Sequence, residues 1–205
     1  MIENILLLNG LSTNILESLS YRTKLEKSLK NNLHCFNRED LIGELEMMRE
    51  WLFEQSVFED IDLDLRIKSI DSINLKYDRY YPNRQVRQVF NDILGFRAFC
   101  DDYREILPSE HFRIADMSAG KANDDGYRGV HLYYQKDNFH YPIEIQFNTL
   151  YDRQINNWLH SFLYKKNFPD EIGRTMRQFY EQGKIHSAEE FEEVLNYVLH
   201  CSQTP

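Results

Sequence analysis

The sequence predicts an α/β domain of the α+β kind, with a central mixed sheet of about five strands flanked by N- and C-terminal helices. Three observations lead there. Short runs that mix apolar and polar residues as half-buried strands do fall in the middle of the chain, at 63–70, 94–100, 111–116, 129–135 and 141–148. Segments with apolar residues three and four apart lie on both sides of them. The chain has 205 residues with only eight Gly and five Pro, which leaves no room for a flexible linker. It therefore reads as one domain over 1–205, with N-terminal helices in 1–60, the sheet in 61–149 and C-terminal helices in 150–205.

The elements follow in order. Ser12 or Asn14 caps a helix over 13–33, with Leu16, Leu19, Leu25 and Leu29 along its apolar side. Asn37 opens a second helix to about Phe58, burying Leu41, Leu45, Met48, Trp51 and Leu52, with Asp40 completing a loose capping box. After the 63–70 strand, a short helix runs from Asp71 to Tyr80, and Pro82 ends it. Beyond the strands, helices span Leu150 to Tyr164, Pro169 to Gly183 and Ser187 to His200. Pro169 suits a first turn, Gly183 a stop, and Ser187 with Glu190 forms a capping box.

Composition excludes several classes. The early apolar run Ile5 to Leu8 is far too short to span a bilayer or to form a signal-peptide core, so no membrane association is expected. The three cysteines are widely spaced without a Cys-x-x-Cys, so a reducing cytoplasm is the expected location. A net charge of −9 argues against coating DNA. The charge is nevertheless uneven. Residues 37–65 carry two basic and ten acidic groups, whereas 66–97 carry seven basic and three acidic. On charge alone, that basic stretch is either a solvated face paired with the acidic run before it or a phosphate pocket.

Familiar nucleotide and hydrolase motifs are absent. Gly120-Lys121 is not a phosphate-binding Gly-rich loop, because Ala115 stands where its first Gly is needed and Ala122 where Ser or Thr should hold Mg²⁺. No Gly-x-Gly-x-x-Gly, His-Glu-x-x-His or Gly-x-Ser-x-Gly occurs.

Four clusters carry chemistry instead. In the first, Arg66 and Lys68 share a strand face, and Ser72, Lys76 and Arg79 share the face of the next helix. Cations this dense repel unless a polyanion sits among them, and a nucleoside triphosphate suits them. Ion pairing with Glu59, Asp60, Asp62 and Asp64 is the alternative. In the second, Asp92 precedes a strand that carries Arg97. It is a turn residue or, beside a triphosphate, a carboxylate for Mg²⁺. The third is Asn123-Asp124-Asp125-Gly126-Tyr127, a turn leading into the strand of His131. Tyr127 is an ordinary strand tyrosine or a platform for a nucleobase. The fourth strand turns Ile143, Ile145 and Phe147 to the core and Glu144, Gln146 and Asn148 to the other face, unusual for plain packing. Glu144 is there a metal ligand or a general base.

The order Arg-x-Lys-Ser-Ile, Asp-x-x-Gly-x-Arg, Gly-Tyr-x-x-x-His, Glu-Ile-Gln, from Arg66 to Thr149, resembles the synthetase domain of the RelA/SpoT family, most of all the stand-alone small alarmone synthetases. The resemblance implies a nucleotidyltransferase-like synthetase fold. It implies an enzyme, a pyrophosphokinase that moves the β,γ-pyrophosphate of ATP onto a ribose 3′-hydroxyl with Mg²⁺. On this resemblance Arg66 and Arg97 hold the adenine of ATP, and Lys68, Ser72 and Lys76 its phosphates. Asp92 and Glu144 serve the metal, or Glu144 takes the proton. Tyr127 stacks on the acceptor's base, with His131, Gln146, Asn148, Lys121 and Arg128 around it.

The departures bear on the acceptor. Where the family has Lys-Pro-Asn before Gly-Tyr, this chain has Asn123-Asp124-Asp125, and Asn148 replaces an Arg. An acidic loop is expected to repel the 5′-polyphosphate of GDP or GTP, by about 1 kcal/mol or more for each close charge pair. The wording resembles the toxic branch of the family, which pyrophosphorylates the 3′-terminal adenosine of tRNA, stops translation and is neutralised by an antitoxin partner. On that reading Arg22, Lys24, Lys27 and Lys30 contact the acceptor stem, a solvated helix face being the alternative. The other expectations are an alarmone synthetase acting on GDP, GTP or adenine nucleotides, and a non-catalytic nucleotide-binding module.

Overall fold

The computed structural model describes residues 2–106, 112–166 and 168–202. His111, at the start of an expected strand, lies outside the described residues. Helices α1 (Ile2–Leu8), α2 (Thr13–Ser18) and α3 (Arg38–Phe53) come first. Strand β1 (Asp64–Ile67), helices α4 (Ile70–Tyr80) and α5 (Val86–Val89), then strands β2 (Leu94–Phe99), β3 (Phe112–Asp116), β4 (Val130–Tyr134) and β5 (Ile143–Asn148) follow. Helices α6 (Leu150–Phe162), α7 (Asp170–Glu181) and α8 (Ala188–Ser202) end the chain. The five strands form one mixed sheet in the order β1-β2-β5-β4-β3, flanked by helices, as the sequence predicts.

The chain divides into two compact units. One comprises Met1–Ala98, Arg104–Ile114 and His131–Phe147; the other Phe99–Tyr103, Ala115–Val130 and Asn148–Pro205. In the first, β1 pairs antiparallel with β2, so that Asp64 faces Arg97 and Arg66 faces Gly95. β5 is the middle strand, and its residues Ile143, Ile145 and Phe147 are fully buried. A strand covered on both faces buries its polar side too, which is why Glu144 is only 7% exposed. Asn37 caps α3, accepting from the backbone N–H of Glu39 and Asp40 at 2.8 and 3.1 Å. Ser69 caps α4 by accepting from the N–H of Ser72.

Two expected helices are corrected. The helix over 13–33 stops at Ser18, so Arg22, Lys24, Lys27 and Lys30 lie on no common helix face. Leu19 and Leu29 are buried all the same, but beyond Leu19 the backbone turns to tertiary hydrogen bonds in place of helical ones. The N–H groups of Thr23 and Leu29 donate to the carbonyls of Phe139 and Asn138, and that of Tyr141 to Tyr21. The fully buried Glu44 carboxylate accepts from Thr23 Oγ1 (2.7 Å), Lys24 N (2.5 Å) and Tyr141 Oη (2.7 Å). A desolvated carboxylate needs such donors, and an extended segment supplies them where a helix could not. The helix from Asn37 ends at Phe53, and Ser56–Asp60 tightens into a 3₁₀ turn.

In the second unit α6, α7 and α8 share a core of Ile155, Leu159, Met176, Phe191 and Leu195. The rings of Trp158 and Phe162 lie 5.8 and 5.5 Å from that of Phe191. Thr149 caps α6 through the N–H of Asp152; at α8 Ser187 Oγ accepts from the N–H of Glu190, while the Glu190 carboxylate accepts from the N–H of His186 rather than of Ser187. Among the described residues no helix is long and apolar enough to cross a membrane.

Candidate active site

The first unit gathers the donor-side residues around one carboxylate. Lys68 leaves the end of β1, and its backbone N–H donates to Ile93 O at 2.9 Å, which sets it beside the turn before β2. Its ammonium reaches Asp92 Oδ2 at 2.5 Å, while Lys76, one turn into α4 from Ser72, reaches Oδ1 at 2.9 Å and Val89 O at 3.2 Å. Asp92 is thus held between two cations. Burial pushes its carboxyl up, but the Lys76 and Lys68 ammoniums outweigh burial and hold it below the ordinary range. Burial lowers Lys68, helped by the charges of Lys76 and Arg66 and opposed by Asp92. A small cleft is lined by Arg66, Asp92, Gly95, Phe96, Arg97, Glu144 and Gln146.

The other carboxylate of this cleft has its own support. Gln146 Nε2 donates to Glu144 Oε2 at 2.7 Å, and His131 Nδ1 lies 3.1 Å from Oε1. Burial raises Glu144, and the Asp92 charge adds to that, but the His131 contact prevails and leaves it below its ordinary value. Tyr133, two residues along β4, hydrogen-bonds the same carboxylate, and burial and the Glu144 charge push its hydroxyl well up. Arg113 on β3 lies 4.8 Å over the Tyr133 ring.

Not every donor-side residue stands free. Arg97 pairs with Asp64 across the strand register at 2.8 Å, so the acidic run does claim one cation. That pair is exposed and holds Arg97 weakly, by about 0–1 kcal/mol. The Ser72 hydroxyl accepts from Ser69 Oγ at 2.9 Å. Arg66 is exposed at the cleft.

In the second unit, the loop before β4 is built by its own side chains. Asp124 Oδ1 accepts from Gly126 N at 3.0 Å, and Asp125 Oδ1 from Tyr127 N at 3.1 Å, turning the chain at Gly126, whose φ is +86°. The acidic loop is not a net negative feature, contrary to expectation. Arg128 forks onto both oxygens of Asp124 at 2.7 and 3.0 Å, and Lys121 meets Asp125 at 2.6 Å. The Lys121 ammonium also lies 5.1 Å from the centre of the Tyr127 ring. Asn148 is 2% exposed, and its amide donates to Arg128 O at 2.8 Å and to Tyr127 Oη at 3.5 Å, so it braces the loop. Arg22, Lys24, Lys27 and Lys30 belong to the irregular segment before α3, where Lys27 donates to Cys35 O.

Sequence reasoning missed Tyr133 and Arg113, and in the second unit Tyr103, Asp152, Asn156, Gly173 and Arg177. Tyr133 was legible as the strand neighbour two positions from His131. The others carry no local signal, because their roles depend on which elements the fold brings beside the loop. Among the described residues no group of three or more His, Cys, Asp or Glu is arranged to hold a metal. Asp92 and Glu144 are a pair of hard oxygen donors on one cleft, and such a pair fits Mg²⁺ when phosphate oxygens complete the shell.

No family model matches the chain, and no curated protein does. Among solved structures it is similar to the small alarmone synthetase 1 from Bacillus subtilis bound to its product pppGpp, at 21% identity and a TM-score of 0.42, covering 81% of this chain and 92% of that one. The small alarmone synthetase 2 from Bacillus subtilis matches at 18% identity and a TM-score of 0.43, covering 80% and 97%. A GTP pyrophosphokinase family protein from Streptococcus pneumoniae matches at 23% identity and a TM-score of 0.41, covering 80% and 90%. At these identities no residue role passes from one chain to the other.

Proposed function

We propose that the protein is an ATP-dependent pyrophosphokinase that transfers the β,γ-pyrophosphate of ATP to a ribose 3′-hydroxyl. The observation that carries this reading is the Lys68–Asp92–Lys76 arrangement, whose carboxylate lines a cleft together with Arg66, Arg97 and Glu144. Two ammoniums with one carboxylate between them suit a triphosphate that brings its own cation. Arg66 and Arg97 offer flat guanidinium faces for the adenine, and Ser72 a hydroxyl for a phosphate oxygen. Asp92 and Glu144 are the residues that would hold Mg²⁺, which supplies charge neutralisation on the phosphates. The acceptor's 3′-oxygen bonds to the β-phosphorus, the bond from that phosphorus to the α,β-bridging oxygen breaks, and AMP leaves. Glu144, kept ionised by its His131 contact, is suited to take the hydroxyl proton. Lysine cations facing the charge that develops in transfer lower the barrier.

Tyr127 serves as the stacking platform for the acceptor's base. The favoured acceptor is the 3′-terminal adenosine of tRNA. Support comes from the cations of the Tyr127 loop: Lys121 and Arg128 are each neutralised by a loop carboxylate, which leaves no net positive charge there for a 5′-polyphosphate. On this reading the protein blocks translation as a toxin and has a neutralising antitoxin partner. Incubation with γ-labelled ATP and, separately, deacylated tRNA, GDP, GTP and AMP tests it. Label on tRNA is expected. Label on guanosine nucleotides alone would make it an alarmone synthetase, and ATP binding without any labelled product would make it a non-catalytic module.

A further inference from the structure

We infer that Arg177, together with Gly173 one helical turn earlier, is a positioning residue that fixes the aim of the Tyr127 ring and so governs use of the acceptor rather than of ATP. The inference rests on the reading of Tyr127 as the acceptor's platform. Arg177 is 1% exposed and heads the fully buried side chains by volume. A guanidinium is costly to bury unless its N–H groups are met. Here Nε donates to Gly126 O at 2.9 Å, Nη1 to Asp152 Oδ1 at 2.5 Å and Nη2 to Asn156 Oδ1 at 3.4 Å. The first of these carbonyls belongs to the peptide immediately before Tyr127.

The peptide after Tyr127 is held by the same group of residues. Asn156 accepts from Arg128 N at 3.3 Å and donates to Arg128 O at 2.7 Å. Asp152 is fixed in turn by Tyr103 Oη at 2.7 Å and Thr149 Oγ1 at 3.1 Å. Backbone packing closes the arrangement. A Cβ built on Gly173 would lie 2.0 Å from Asp125 O, and one on Gly126 would lie 2.3 Å from Gly173 O. The loop therefore rests directly on the backbone of α7, four residues before Arg177. Well-packed apolar residues stabilise a core as effectively as a buried ion pair. What the pair adds is direction, since a forked donor admits one loop position where an apolar contact admits several.

Two variants of the full chain test this. Arg177→Lys keeps the charge but loses the fork. Gly173→Ala removes no polar contact and favours the helix by roughly 0.5–1 kcal/mol, yet its methyl group displaces the loop. Amide hydrogen exchange across residues 120–130 is measured together with steady-state transfer from ATP to whichever acceptor the wild type labels. Expected in both variants are faster exchange at Gly126 to Gly129 and an acceptor kcat/KM lowered about tenfold or more, with the ATP KM kept within about twofold. Equal losses toward ATP and acceptor, or unchanged exchange with unchanged acceptor kinetics, would overturn the inference. If Arg177→Lys does not fold, Gly173→Ala carries the test. If the wild type labels no acceptor, the functional reading fails on its own, and the exchange measurement alone decides whether Arg177 and Gly173 hold the loop.

Discussion

Replacing Asp92 by Asn removes the one carboxylate that two ammoniums share. Lys68 is then left with its side chain 7% exposed and Lys76 with 25%, both without that counter-charge. Breaking a buried ion pair from one side costs about 3–5 kcal/mol; partial exposure of Lys76 and Asp92 brings the expected loss to roughly 2–4 kcal/mol. For a chain of this size that lowers the thermal midpoint by roughly 4–16 °C at neutral pH. The sign with pH follows from the groups themselves. Lys68 is depressed in the fold, so in the variant its penalty shrinks as pH rises through the depressed value toward the unfolded one near 10.4. The wild-type Asp92 is depressed too, so its stabilisation is complete above about pH 4 and fades as pH falls below that. Ligand binding discriminates further. Without metal, ATP should raise the variant's midpoint more than the wild type's, because its phosphates replace the missing counter-charge. Adding Mg²⁺ should deepen ATP binding to the wild type only. Differential scanning fluorimetry with ATP, with and without Mg²⁺, measures both. A variant as stable as the wild type, with the same Mg²⁺ response, would refute the placing of Asp92 at the centre of the site.

Other expectations are simpler. Glu144→Gln should keep ATP binding and abolish transfer of label, and retention of more than about a tenth of the wild-type rate would exclude Glu144 as the base. Because Glu144 lies below its ordinary value, its ionisation should not limit transfer between about pH 5 and 7, so an acid limb within that window that disappears in Glu144→Asp would contradict the lowered value of Glu144. Asp64→Asn releases Arg97 from an exposed pair and should change ATP affinity by less than about 1 kcal/mol in titration calorimetry. Tyr21 Oη is buried without a hydrogen-bond partner, so Tyr21→Phe should leave chemical denaturation unchanged or shift it toward higher stability by up to about 1 kcal/mol.

The sheet was legible because its signal is local. Alternation marks β2 as Leu94, Phe96 and Ala98, all fully buried, and the caps at Ser12, Asn37 and Ser187 lie where helices begin. The density of cations over 66–97 was legible as well, but the meeting of Lys68 and Lys76 on Asp92 depends on the fold, since Asp92 lies 24 and 16 residues away. Segment 19–36 was misread because its leucines keep a helical rhythm while its hydrogen bonds go to 138–141 and to Glu44, far away in sequence. The charge of the Tyr127 loop was misread because counting carboxylates ignores that Arg128 folds back onto Asp124. Arg177 left no trace, because a lone arginine in an amphipathic helix reads as surface until the fold shows what lies over it.

On the proposed reading, the doubly held carboxylate of Asp92 also bears on which solutes the cleft takes. A chloride or an acetate brings a single charge and must draw both ammoniums away from a partner they already have. A solute with several linked anionic groups, arriving with a divalent counter-ion, can satisfy both ammoniums and the carboxylate at once. On the proposed reading, background electrolyte competes there with an internal rival of equal charge, and chelating polyanions are favoured.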